Sequence, residues 1–362
     1  MRIVSLLPSA TEWLFAMGVG DRVVGVTHEC DHPPQVSRLP AVTTNLLTSG
    51  QGEGERQRAG GWGWKGEGER QRAGGWGWKG EGERQRAGGW GWKDEGERQR
   101  AGGSTLSSAA IDAAVSAGIR DEHTIYALDV DALRALAPDV VVAQQLCDVC
   151  AVPVDAVEAA ACTLGAQARV VAADPHTLDD LLPAAVELGR AVAAEESAAA
   201  LAESLQHRLD AVTWAVADRP RPMVAMLEWP DPPWLPGHWA PDMIERAGGV
   251  SLFGRSGEPS RRATFEELAE VDADVVIAAF CGCDLAETIA RTDEVSERPA
   301  WRSLIRGARL LAVDGSAYVS RPGPRLVDGV EALARALHGV GGPPPRAAVA
   351  EWRHGRWRDL VG

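Results

Sequence analysis

An α/β architecture of two similar lobes joined by one long helix is what this sequence predicts, and three observations carry the expectation. The first is an internal echo: LRALAPDVVVAQQLCDVC, from Leu133 to Cys150, returns more loosely as LAEVDADVVIAAFCGC, from Leu268 to Cys283. In each copy a short helical end runs into an Asp, then an apolar run, then a cysteine-bearing turn. Such a run without polar alternation reads as a strand covered on both faces, the habit of parallel sheets flanked by helices. The second observation is that the echo extends outward. RVVAAD (Arg169 to Asp174) and RLLAVD (Arg309 to Asp314) follow the two copies, while RIVSLL from Arg2 and PMVAML from Pro222 open the two halves. The third is the uninterrupted helical stretch from Glu195 to Ala217, stopped by Asp218-Arg219-Pro220. About 23 helical residues span roughly 35 Å, enough to cross from one lobe to the other.

The expected organisation is a first lobe over 1–194, a linker helix over 195–218, a second lobe over 219–340 and a peripheral tail over 341–362. Ligands of open parallel sheets sit outside the carboxyl ends of the strands, so function is to be sought in the turns that follow them. At 362 residues the chain has room for two ordinary domains. Its net charge of -14 argues against nucleic acid as a partner, because phosphate neutralisation needs a basic face. No apolar run approaches the roughly 20 residues of a membrane span. The N-terminus has one Arg and a short apolar stretch without a small-residue cleavage site, which reads as a first strand. As written the chain is expected to be a cytoplasmic monomer, and periplasmic or at the cell surface if the gene start lies upstream. Its six cysteines do not suggest a disulfide scaffold, and cytosol would keep them reduced.

Taken in order, Ile3 to Leu7 is a strand followed by Pro8-Ser9-Ala10-Thr11-Glu12. Ser9 with Glu12 three positions on has the spacing of a capping box, and the free amides of that helix start, with Ser9 and Thr11, are also candidates to face a ligand. A second strand, Arg22 to Val26, exits into Thr27-His28-Glu29-Cys30-Asp31-His32-Pro33-Pro34. That loop holds every common ligand type for zinc or iron, and it equally fits a polar loop stiffened by two prolines. From Gly52 the unit GEGERQRAGGWGWK recurs at Gly66 and Gly80, with a truncated fourth copy from Asp94. With no aliphatic residue larger than Ala it cannot offset its backbone entropy, so 50–103 is expected to be a disordered, exposed insertion in the first lobe. Its paired tryptophans have the chemistry to stack on sugars or bases.

Downstream, Cys147 and Cys150 form a Cys-x-x-Cys, which reads as redox, metal-binding or structural; His28, Cys30, Cys281 and Cys283 from other turns are the candidates to complete a metal set. Cys162 reads as a small buried residue. In the second half, LEWPDPPWLPGHW from Leu227 to Trp239 gathers three tryptophans and a histidine on a loop carrying four prolines, poor core and good surface for a large flat ligand. Arg261 and Arg262 either offer cations to an anionic group or lie in a solvated turn.

SLLPSATE (Ser5 to Glu12), VGVTHECDHPP (Val24 to Pro34), the VVVAQQLCDVCAV run ending at Val152, LEWPDPPWLPGHW, and DGSAYVSRPGPRLVDG (Asp314 to Gly329) together resemble the cobalamin-binding-protein branch of the iron-siderophore and cobalamin substrate-binding proteins of ABC importers. The resemblance covers the chain except the repeats and the tail. It implies two Rossmann-like lobes, a shallow cleft with little hinge closure, and binding of a corrinoid or other metal chelate without catalysis. It also implies an importer permease as partner. The positions it would set at the cleft are Pro8, Ser9, Thr11, His28, Glu29, Gln145, Trp229, Trp234, His238, Trp239, Tyr318 and Arg321, with His238 or His28 as axial ligand to cobalt. Two other expectations stand beside it. One is a cytosolic metal-thiolate or redox protein, holding zinc or iron at Cys30, Cys147, Cys150 and Cys281. The other is a ferric-siderophore or haem binder on the same fold.

Overall fold

The structure, a computed structural model, describes residues 1–46, 106–122, 124–144, 157, 168–341 and 348–360. The repeats, Gln145, Cys147, Cys150 and Cys162 lie outside the described residues. The chain divides into one body, Met1–Ser49 with Leu106–Gly362, and a segment, Gly50–Thr105. Both expected lobes belong to that one body.

The first lobe contains β1 (Ile3–Ser5), β2 (Val23–Val26), β3 (Thr43–Asn45), β4 (Tyr126–Leu128), β5 (Val140–Ala143) and β6 (Arg169–Ala172). β2, β1, β5 and β6 lie side by side in that order, all parallel, while β3 and β4 pair antiparallel on either side of the repeats in sequence. All four residues of β5 are buried, as a strand covered on both faces requires. Its helices are α1 (Pro8–Ala16), α2 (Ser108–Glu122) and α3 (Val130–Leu136). Asp129 caps α3 by accepting from the Ala132 amide, and the Ser107 hydroxyl accepts from the Ala110 amide at the start of α2. The capping box expected at Ser9 does not form. Pro8 occupies the first turn of α1, Leu7 is the cap residue without a side-chain bond, and Glu12 turns instead to Arg325.

Two helices lead across to the second lobe, α4 (Leu181–Ala191) and α5 (Glu195–Val216), the second 22 residues long. Ala198, Ala202, Leu205, Leu209, Val212 and Val216 face inward along α5 at helical spacing. Arg208 on its other flank pairs with Asp328 and Glu331, fastening the linker to the second lobe.

The second lobe holds β7 (Met223–Leu227), β8 (Trp229–Pro230), β9 (Pro233–Leu235), β10 (Val250–Ser251), β11 (Arg261–Arg262), β12 (Val275–Ala278), β13 (Arg309–Val313), β14 (Val349–Arg353) and β15 (Arg356–Asp359). β10, β7, β12 and β13 are parallel, and β14 and β15 extend the sheet antiparallel beyond β13. Around them lie α6 (Ala240–Arg246), α7 (Phe265–Ala269), α8 (Leu285–Val295), α9 (Pro299–Leu304), α10 (Gly315–Tyr318) and α11 (Arg325–His338). The echo between the halves is therefore structural: β12, the counterpart of β5, is also buried throughout. Two expectations need correction. The proline-rich loop after β7 is a short hairpin, β8 with β9, joined by β11. The tail is part of the sheet, because His354 and Gly355 both take positive φ, the backbone of a two-residue hairpin turn, and Glu351 at the strand's centre is buried between Arg309 and Arg353.

Candidate functional site

The turns at the carboxyl ends of the two parallel sheets meet between the lobes. Short side chains at the strand ends start the next helices: Asp284 after β12 accepts from the Glu287 amide, and Asp314 after β13 accepts from the Ala317 amide. Gly315 is required there, since a Cβ would lie 2.2 Å from the Phe280 carbonyl oxygen. The β2 turn reaches across to the loop after α10. Arg321 donates to Asp31 Oδ1 at 2.6 Å and to the Glu29 carbonyl at 3.3 Å. Beside it Trp13 Nε1 donates to the Pro322 carbonyl at 2.9 Å, and Arg325 grips Glu12 through Nε at 2.9 Å and through Nη2. Glu12 is only 3% exposed, so a full pair of hydrogen bonds from the guanidinium is what makes its burial tolerable. Gly323 lets this loop approach, for a Cβ there would sit 2.9 Å from Glu12 Oε2.

A second set of contacts closes the far side. Trp229 Nε1 donates to the Ser108 carbonyl at 3.1 Å, and Trp234 Nε1 to Asp112 Oδ1 at 3.1 Å, both on α2. Arg291 lies 5.2 Å over the Trp229 ring and Arg262 5.4 Å over that of Trp234, and Arg262 also reaches Asp112 at 2.7 Å. Phe280 packs edge-on against Trp229 with centroids 6.3 Å apart. Along the linker side the Leu178 amide donates to Asp242 at 3.0 Å, and His176 faces His238 with ring centroids 6.3 Å apart.

Within the first lobe the β2 turn carries a polar chain. His28 Nδ1 lies 2.7 Å from Thr43 Oγ1, Thr43 bonds Thr27 at 3.0 Å, and Tyr126 donates its hydroxyl to Glu29 Oε1 at 2.7 Å. The His28 and Tyr126 rings are 5.5 Å apart, and His28 Nε2 is 4.0 Å from Glu29 Oε1. Burial holds His28 below the ordinary histidine value, against the pull of Glu29.

The residues singled out from the sequence thus divide. Glu29, Arg321, Trp229 and Trp234 make contacts between the lobes, while the contacts of His28 are with Thr43, Tyr126 and Glu29 of the first lobe. Pro8 is at the start of α1, and Ser9 lines a cavity of about 10 Å³ with Trp13 and Pro322, room for about one water molecule. Thr11 points inward, bonding Ser5 at 2.9 Å and lying 3.2 Å from Cys30 Sγ. Trp239 is a core residue whose Nε1 donates to the Val319 carbonyl at 2.7 Å. His238 holds a positive φ of 50°, and its buried Nδ1 has no hydrogen-bond partner among the described residues; burial first and His176 second lower its pKa. Tyr318 is half-buried, and its phenol is raised by burial and by Asp314. Gln145 falls outside the described residues.

Of the cysteines, Cys281 is exposed, whereas burial pushes Cys30 up to about 11 and Cys283 up to about 12. Cys30 sits with Thr11 and Arg321, and Cys283 with Arg291 and Glu287. Among the described residues no group of three His, Cys, Asp or Glu side chains is placed to hold a metal ion. Cys147 and Cys150 lie outside those residues. Tyr126, Thr43, Phe280, Asp112 and the Glu12–Arg325 pair were not singled out from the sequence. Each joins elements distant along the chain, and only Tyr126, one of two tyrosines, offered a compositional hint.

No curated protein sequence matches the chain. Among solved structures, a periplasmic heme-binding protein from Pseudomonas aeruginosa is similar at 18% identity with a TM-score of 0.60, covering 97% of this chain and 97% of that one. The periplasmic vitamin B12-binding protein BtuF of Vibrio cholerae is similar at 18% identity with a TM-score of 0.58, covering 93% and 96%. The periplasmic heme-binding protein HutB of Vibrio cholerae is similar at 16% identity with a TM-score of 0.59, covering 93% and 99%. These likenesses establish the two-lobe fold over nearly the whole chain. Among the described residues no helix is long and apolar enough to cross a membrane. The family model described as periplasmic binding protein matches residues 123–305, just over half of the 362 residues. With that match and the shared fold, the chain belongs to the periplasmic binding proteins, a family of non-catalytic solute binders.

Proposed function

We propose that the protein is a solute receptor for a large metal chelate, a corrinoid as first choice, held at the groove where the carboxyl ends of the two sheets meet. The observation that carries this reading is the approach of the β2 turn to the β13 side through Arg321, Asp31 and the Glu29 carbonyl. The turn that makes this approach carries His28, Glu29 and Asp31, a histidine with carboxylates of the kind that a metal-centred macrocycle with a polar rim calls for. Trp229 and Trp234, each with an arginine over one side of its ring, would offer the remaining ring surface to the chelate, while Trp239 is packed in the core. Pro8, Tyr318 and His238 would be further contacts of the ligand in this reading. The named relatives bind heme or vitamin B12, both flat macrocycles around a metal. The receptor would hand its cargo to the permease of an ABC importer, from the periplasm or the cell surface.

Haem is the second reading, favoured by the closeness of His28 and Tyr126, two side chains that ligate haem iron. Titrating purified protein with hydroxocobalamin and, separately, with haemin tests both. One equivalent bound at micromolar or tighter affinity, with a changed visible spectrum, is the expected result for one of them. No heat and no spectral change with either at that concentration refutes the receptor reading.

A further inference from the structure

The hydrogen bonds around His28 decide which of its ring nitrogens is free, and with it the kind of chelate this groove favours. Thr43 is buried, its Oγ1 donates to Thr27 Oγ1 at 3.0 Å, and it accepts the His28 backbone N–H at 3.1 Å. Its one hydroxyl proton is thereby committed to Thr27. The remaining contact, 2.7 Å to His28 Nδ1, then has Nδ1–H as donor. Nε2 is left as a bare lone pair on the ring edge turned away from Thr43. The His28 side chain is 25% exposed, and the Tyr126 ring beside it limits its rotation. A histidine whose second nitrogen is tied to a fixed acceptor is the usual arrangement of a metal-ligating imidazole. Glu29, with Oε1 4.0 Å from Nε2, adds a negative charge where a cationic metal centre would lie.

We infer that His28 Nε2 is an axial ligand that selects chelates whose metal carries an exchangeable water over those whose axial position is blocked by a strong ligand. This deepens the receptor reading and rests on it. In the ligation step the Nε2 lone pair forms the bond to cobalt and the coordinated water leaves with its own electron pair. The metal keeps its oxidation state, and the Nδ1 proton stays on the imidazole, donated to Thr43 Oγ1. Thr43 is a positioning residue, acting through the imidazole, and Glu29 favours the cationic aquo form over a neutral cyano form.

Two measurements on the full chain test this. Long-range ¹⁵N correlation of the unliganded protein at pH 7.5 should show His28 protonated at Nδ1 and bare at Nε2; the opposite tautomer overturns the inference without any ligand being involved. Calorimetry and visible spectra with aquocobalamin and cyanocobalamin should give at least about tenfold tighter binding of the aquo form, with a band shift of imidazole ligation. His28→Ala should abolish the shift and reduce aquocobalamin affinity to the level of the cyano form, and Thr43→Val should weaken the preference. Equal binding of the two forms with unshifted spectra overturns the inference and leaves the receptor reading standing. Binding of neither corrinoid overturns this inference, and the haemin titration then decides the receptor reading separately.

Discussion

Arg325→Ala should be the most damaging single change at the lobe interface. The Glu12 side chain is 2% exposed and that of Arg325 16%, and the pair joins α1 to α11 across 313 positions of sequence. Removing the guanidinium leaves a buried carboxylate with its partner gone, which costs about 3–5 kcal/mol in measured cases. At about 2–4 °C per kcal/mol for a domain of ordinary size, the midpoint of thermal unfolding should fall by about 10 °C. Scanning calorimetry of the single variant, beside the double variant Glu12→Gln, Arg325→Met, reads this directly. The double variant removes both charges while keeping side-chain volume, so it should recover most of the loss. A drop equivalent to less than about 1 kcal/mol, or a double variant no better than the single, would refute the claim that the cost comes from stranding a charge.

Gly323→Ala presses a methyl group to within 2.9 Å of Glu12 Oε2 and should cost about 1–3 kcal/mol in urea unfolding, less if the carboxylate can shift. Iodoacetamide at pH 7.5, read by peptide mass spectrometry, should modify Cys281 well before Cys30 or Cys283, whose thiols are held protonated by burial. Stability should also fall on mild acidification. His28, His32, His238 and His338 all have values lowered from 6.5 with burial as the first cause. Their contribution is complete above pH 6.5 and is lost as pH falls through the lowered values, because the unfolded chain takes up protons first. Asp314 and Glu287, raised by burial, work the other way, from their ordinary values of 3.8 and 4.5 upward. Urea midpoints at pH 7.5 and 6.0 check the histidine effect, and a higher midpoint at pH 6.0 would contradict it.

The parts of the fold legible in the sequence were those whose cause is local. The apolar runs Val140–Ala143 and Val275–Ala279 read as covered strands because nothing polar interrupts them, and the strands form there. The Glu12–Arg325 pair had no such signature. Glu12 sits three residues after Ser9, a spacing that suggests a cap, and only the packed lobes reveal that a guanidinium from the far end of the chain takes it. The tail shows the reverse, since His354-Gly355 between two alternating stretches is a hairpin signal readable in advance. The proline-rich run from Glu228 to Trp239 reads as a loop in the sequence and folds as a hairpin, with Trp239 in the core. Its prolines fall at hairpin positions that leave the β8 and β9 pairing intact. Of the expected groove residues, Thr11 and Trp239 turn inward because their hydrogen-bond partners, Ser5 and Val319, lie on the core side.

Hydrogen exchange with and without ligand tests the central claim most directly, since it reports where a chelate sits without presuming which side chain holds it. On addition of hydroxocobalamin or haemin, slowed exchange should concentrate at 27–31, 228–239, 279–284 and 314–321, the turns at the carboxyl ends of both sheets, with β10 and β15 unchanged. Protection confined to one lobe, or falling on the β14–β15 hairpin, would contradict the account.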